Sequence, residues 1–348
     1  IDCIPRDKLR LYLECQNEVL ELMKDHTDWK AEDGNTPAPV PSSSTPIRFL
    51  FGRDEARRTP SAMLRTLSEL CDLAVAPWVK VATVDNGLFA NWLQVLDARL
   101  FASDTAVVEP DWVLSGEERE FNYGHRGEDI FRGLFEEPEQ PCTLQQGATD
   151  EPYVVYHRYN FLLVNIFRGN FLRGNLAQRR RQLYATAARQ VLRPCAEACR
   201  ARDEALAAVP RPPGAPLIGV HKRVDNPGTA RMQFEQVMPS TQAYIEAVRV
   251  LAARRGSLDS AVVVLATDDE GAERTFRDAF ASRLICRSGV RRCTGGVSKE
   301  RKPVEVHGMP GSRLAVADAR DCLVDAMLLA ACDAFVHGDS NVTVPAVR

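Results

Sequence analysis

The chain has 348 residues, 45% of them hydrophobic and 26% charged, with a formal net charge of -3. That composition belongs to a globular protein and argues against a disordered, collagenous or membrane-spanning chain, since no apolar run reaches the roughly 18 residues a membrane helix needs. The near balance of charge gives no electrostatic reason to expect nucleic acid as the main partner, and a chain of this length is expected to form two domains.

Residues 1 to 30 carry a helix-like run, RDKLRLYLECQNEVLELMKD, and DGNTPAPVPSSSTP (Asp33 to Pro46) has the composition of a flexible linker. The chain opens on Ile1 and stops at Arg348 soon after a strand-to-helix junction. It is therefore expected to be processed or incomplete, with room for a signal or membrane anchor in a missing N-terminus. Residues 47–209 read as a first α/β domain. IRFLF, VKVATV and TAVVEPDW have strand character, PSAMLRTLSELCDLAVA has helix character, and DNGLFANWLQVLDARLFAS places Gly87 at a strand-to-helix turn. Residues 113–170 show no regular period. Residues 172–209 read as a helical pair broken at Pro194, because an internal proline removes a backbone donor and clashes with the preceding turn. The triple Arg179-Arg180-Arg181 falls there and is expected on a solvated helix face.

PRPPGAP (Pro210 to Pro216) is a stiff linker and the expected boundary of a second domain, residues 210–348. Strands LIGV, AVVVLA, LIC and AFVH alternate there with the helix STQAYIEAVRVLAARR, a helix that follows the turn TDDEG and runs through Phe280, and the helix RDCLVDAMLLAACD. Repeated strand and helix alternation predicts a doubly wound parallel sheet, and such sheets bind ligands beyond the carboxyl ends of their strands. The ten cysteines lack the spacing of a zinc site. Cys195 with Cys199, and Cys286 with Cys293, are expected to be structural thiols or disulfides. The sequon Asn341-Val342-Thr343 is usable only if exposed.

Three polar clusters fall at one edge of the predicted second sheet: HKRVDNPGT after LIGV, TDDEG after AVVVLA, and HGDSN after AFVH. Arg223 offers a planar fork of donors suited to a pyrophosphate. Lys222 either adds a point charge or, alternating with Arg223 along extended chain, points away from it. Asp268 or Asp269 could accept hydrogen bonds from a base amino group or ribose hydroxyls. Ser340 is placed as a helix N-cap, where its hydroxyl and the amides of Asn341 and Val342 could cradle an anion. Together these describe a site for a nucleoside diphosphate, and the absence of GxxxxGK[ST] speaks against a P-loop enzyme.

Leu217 to Arg348 resembles the nucleotide-binding half of the GDP-fucose-dependent fucosyltransferases, the group of core α1,6-, nodulation and protein O-fucosyltransferases. A strand followed by His-x-Arg and a nearby acid is matched by His221, Arg223 and Asp225; Ala-Thr-Asp after a strand is matched by Ala266, Thr267, Asp268 and Asp269. An Asp-bearing helix, strand and Ser turn are matched by Asp325, Ser340 and Asn341. The resemblance implies two Rossmann-like domains facing each other in a GT-B-like arrangement. It also implies a sugar nucleotide and a glycan or glycoprotein acceptor as partners, with no metal or other cofactor. Arg223 would neutralise the departing diphosphate, His221 with Asp268 or Asp269 would hold the guanosine, and Ser340 and Asn341 would contact phosphate. Gly87 and Asn91 would lie at the inter-domain cleft. The location implied is the secretory pathway or Golgi lumen, with the cytoplasm as the alternative.

The sequence departs from the family where a second arginine and then an acidic general base are expected, at Val224 and near Ala230. Asp225 and Glu235 are substitutes by proximity, and Asp225 is the catalytic candidate beside Arg223. The rival expectations are a GT-B-like transferase using another sugar nucleotide and a non-catalytic relative that binds glycan or nucleotide.

Overall fold

The computed structural model describes residues 73–82, 88–112, 129–136, 153–156, 182, 185–223, 239–256, 259–290, 292 and 316–338. They form an α/β protein with two separate parallel sheets, as the alternation of strand and helix patterns predicts. In the first sheet β1 (Trp78–Ala82) lies between β2 (Val107–Asp111) and β3 (Tyr153–Tyr156), all parallel. Helix α1 (Leu88–Phe101) makes the crossover from β1 to β2, and β3 falls in the stretch where the sequence shows no period. Trp78 Nε1 donates to Glu109 across β1 and β2 at 2.9 Å.

In the second sheet the order is β6-β5-β4-β7, again all parallel, with β4 Leu217–Lys222, β5 Val262–Thr267, β6 Leu284–Ile285 and β7 Ala334–His337. β4 and β5 are buried on both faces, as continuous Val, Ile and Leu runs require in a covered parallel sheet. Helices α3 (Thr241–Arg254) and α4 (Glu270–Phe280) cover one face, where Ile218, Val220, Val263 and Leu265 meet Ile245, Val248, Phe276 and Phe280. Each such apolar side chain contributes about 1.5–3 kcal/mol relative to exposure. α5 (Val316–Ala330) covers the other face, where a Cβ on Gly219 would lie 3.0 Å from Cys332 Sγ and 3.1 Å from Leu329 Cδ2. Glycine in LIGV thus lets the α5 end approach the central strand closely.

Helix starts follow from their caps. Ser240 accepts from the Ala243 amide at 3.2 Å before α3, and Asp269 accepts from Gly271 and Ala272 before α4. Helical residues 185–191 end before Pro194, which bridges to Phe135, and α2 (Ala196–Ala207) begins after it, so the chain breaks where the proline predicts. The proline-rich linker is pinned by Arg211, which donates to Ala215 O and to Asp333 Oδ2, and Asp333 also accepts from the Leu217 amide at 2.8 Å.

One face of the second sheet shares its core with the first sheet, while the α3 and α4 face has a core of its own. Trp112, at the end of β2, packs edge-on against Phe131 and Phe135. From that aromatic knot Leu134 O accepts from the Cys195 amide, and Gly133 O accepts from Arg320 of α5 at 3.1 Å. Arg320 is also ion-paired with Glu197 of α2, and α2 packs along α5. One contiguous apolar cluster runs from Val79 and Leu93 through Phe135 and Val191 to Val264 and Leu329. Cys195, Cys199 and Cys286 are free thiols; Cys293 lies outside the described residues. No helix among the described residues is long and apolar enough to cross a membrane.

Candidate nucleotide site

The sheet order decides where a ligand can enter. From β4 the chain moves outward through β5 to β6, then returns to the other side of β4 as β7. The connections on the two sides of β4 therefore diverge, which makes the carboxyl ends of β4 and β7 the topological switch point where sheets of this kind bind ligands. His221 pairs in register with Ala266 of β5 and His337 of β7, so three strand ends lie side by side.

Alternation along β4 sorts its last residues. Ile218 and Val220 face α3 and α4, and Lys222 follows them on that face; Leu217 belongs to the core on the α5 side. Lys222 is 1% exposed, donates to Arg223 O at 2.9 Å and lies 3.5 Å from Asp269 Oδ2. Its charge is spent inside the fold, so of the two possibilities for Lys222 the structure shows the one that turns away from Arg223. Arg223 has a side chain 31% exposed, with Nε 3.8 Å from Asp268 Oδ2, a separation too long for a direct hydrogen bond. A partly exposed guanidinium not hydrogen-bonded to that carboxylate can still turn its fork to an anion.

The two adjacent aspartates separate by role. Asp269 uses Oδ1 to cap α4 and Oδ2 to face Lys222, a structural task, while Asp268 stands beside Arg223. His221 is buried. Desolvation, helped by the charges of Arg223 and His337, lowers its pKa from 6.5 to about 3, so at neutral pH it is an uncharged imidazole able to donate one hydrogen bond and accept another. Asn91, expected at the cleft, is fully buried in α1, where Gln94 Nε2 reaches its Oδ1 at 3.5 Å; it stands on no solvent-open wall. Gly87, Asp225, Ser340, Asn341 and Val342 lie outside the described residues.

Beyond the β6 end lies an ion network that the sequence reading passes over. Arg287 pairs with Asp321 and, at 3.5 Å, with Asp325, both on α5; Arg292 lies 3.0 Å from Glu273 of α4 and donates to Arg287 O. Burial raises the Asp325 pKa to about 6 against the opposing pull of Arg287 and Arg292, and burial raises the Cys286 thiol to about 11. The signal for this network is the basic run RSGVRR facing acids four apart on the next helix. A second feature passed over is the buried row Asn91, Gln94 and Asp97, whose three-residue spacing along α1 marks one helix face. Among the described residues no group of three or more His, Cys, Asp or Glu is placed to hold a metal ion.

No family model and no curated sequence matches the chain. Solved structures do. NodZ α-1,6-fucosyltransferase co-crystallised with GDP matches at 14% identity and a TM-score of 0.44, covering 78% of this chain and 91% of that one. NodZ soaked with GDP-fucose matches at 14% identity and a TM-score of 0.46, with the same coverage. A mutant of Arabidopsis thaliana FUT1 in complex with GDP matches at 12% identity and a TM-score of 0.43, covering 90% of this chain and 78% of that one.

Proposed function

We propose that this protein is a glycosyltransferase that moves fucose from GDP-fucose to a hydroxyl of a glycan or glycoprotein, with inversion and without a metal. The observation that carries the proposal is the meeting of Arg223 and Asp268 at adjacent strand ends, beside the switch point of the sheet. The fucosyl assignment draws support from the ordered set of three strand-end motifs in residues 217–348. In this reading Arg223 stabilises the diphosphate as the glycosidic bond breaks, an electrostatic task suited to a guanidinium that can turn its donors to the departing charge. Neutral His221 and Asp268 supply the acceptors and donor that a base or ribose needs, and Ser340, Asn341 and Val342 extend the phosphate cradle. A glycoprotein acceptor would place the reaction in the lumen of the secretory pathway.

Calorimetry with GDP, UDP and ADP tests the donor: GDP is expected to bind most tightly, and a preference for UDP would transfer the proposal to another sugar nucleotide. GDP release from GDP-fucose over a panel of glycan and peptide acceptors tests the reaction. Binding of GDP with no release on any acceptor would favour a non-catalytic binder.

A further inference from the structure

His337 is the last residue of β7, exposed at the switch point of the sheet and in register with His221. Its orientation is set twice. The ring stacks on Phe335, with centroids 4.6 Å apart and planes 26° apart, and Nδ1 lies 3.0 Å from Gly338 O. A carbonyl oxygen only accepts, so Nδ1 carries the proton of the neutral ring and Nε2 carries the lone pair. Gly338 is itself held close, since a Cβ there would come within 2.8 Å of the Tyr244 hydroxyl of α3. Among the described residues, His221 of β4 lies beside His337 and feels both it and Arg223, while Tyr244 of α3 lies against Gly338 on the opposite side of the strand. An imidazole fixed in orientation and tautomer, at the mouth of a site whose expected acid is replaced near Ala230, has the properties of a proton acceptor.

Building on the transferase reading above, we propose that His337 is the general base of the reaction. The acceptor hydroxyl oxygen forms its bond to the anomeric carbon of the donor as the bond from that carbon to the phosphate oxygen breaks. The electron pair of the broken bond leaves with the nucleoside diphosphate, and the hydroxyl proton passes to His337 Nε2. Arg223 steadies the leaving group, so the cation stands at the end of β4 and the base at the end of its neighbour β7.

The test uses the full chain with His337→Gln, which keeps a hydrogen-bond donor but cannot take up a proton at neutral pH, and His337→Ala. The expected result is a GDP Kd within about twofold of the parent and a kcat lower by about 10²- to 10⁴-fold. The acid limb of the parent pH–kcat profile should vanish in His337→Gln, and added imidazole should partly restore His337→Ala. Turnover of His337→Gln within a few-fold of the parent overturns the base. So does a parallel loss of GDP affinity, which would make His337 a nucleotide ligand. A parent that binds GDP but turns over no acceptor overturns the base and leaves the nucleotide site standing, whereas a parent that does not bind GDP overturns the transferase reading as well.

Discussion

Arg223 carries the most chemistry per residue in the proposed site, because a guanidinium presents parallel donors where a lysine presents one point charge. Arg223→Lys is expected to weaken GDP binding by about 10- to 100-fold, the range of a lost charge-assisted contact, with little change in thermal stability. Calorimetry together with a melting curve checks both halves. Asp325 lends itself to a different measurement. Its folded pKa of about 6 lies above the ordinary 3.8, so its contribution to stability is full below about pH 4 and is lost as pH rises through 6. Asp325→Asn removes that dependence. Relative to the parent, the variant should gain up to about 3 kcal/mol between pH 4 and 7, readable in urea melts at several pH values. His221 works in the opposite sense. Its folded pKa of about 3 lies below 6.5, so its contribution is present above pH 6.5 and lost on acidification, and the two buried groups partly offset one another between pH 4 and 6.

At the scale of elements, the strand end of β5 and the start of α4 depend on one carboxylate, Asp269. Asp269→Asn keeps a capping oxygen but removes the charge facing Lys222, while Asp269→Ala loses both. The order of stability expected in chemical denaturation is parent, then Asn, then Ala, with the cap alone worth about 1 kcal/mol; an Ala variant as stable as the Asn variant would contradict the capping role. Gly219→Val should cost more than Gly219→Ala, since the Ala methyl already requires Leu329 and Cys332 to shift by a few tenths of an ångström. Much of this element structure was legible in the sequence. LIGV, AVVVLA and AFVH are short apolar runs between turn residues, STQAYIEAVRV opens with its own cap, and the polar clusters fall at one edge because parallel strands end alike. What stayed hidden depends on tertiary contact. β3 has no period to betray it, the Arg287 network joins residues 34 apart in sequence, and Asn91 reads as a cleft residue until its burial is seen. His337 sits inside the HGDSN cluster, but its fixed tautomer is visible only from its carbonyl partner.

For the whole molecule, the decisive feature is the single apolar cluster that serves both sheets, fastened by the Trp112, Phe131 and Phe135 knot and by Arg320. Calorimetric unfolding is therefore expected to show one cooperative transition rather than two. Arg320→Ala removes the link to Gly133 O and Glu197, and should lower that transition or begin to split it.

The returning path of β7 also bears on how the chain is made. β4 is complete once residue 222 has been synthesised, yet one side of it has no neighbour until residues 334–337 emerge from the ribosome, and pairing across so long a separation is slow to form. During that interval Ile218 and Val220 lie on a strand with an open edge, the kind of surface on which nascent chains associate. Release of the chain before Ala334 should yield aggregate or chaperone-bound material, while a chain carried through His337 should be recovered soluble.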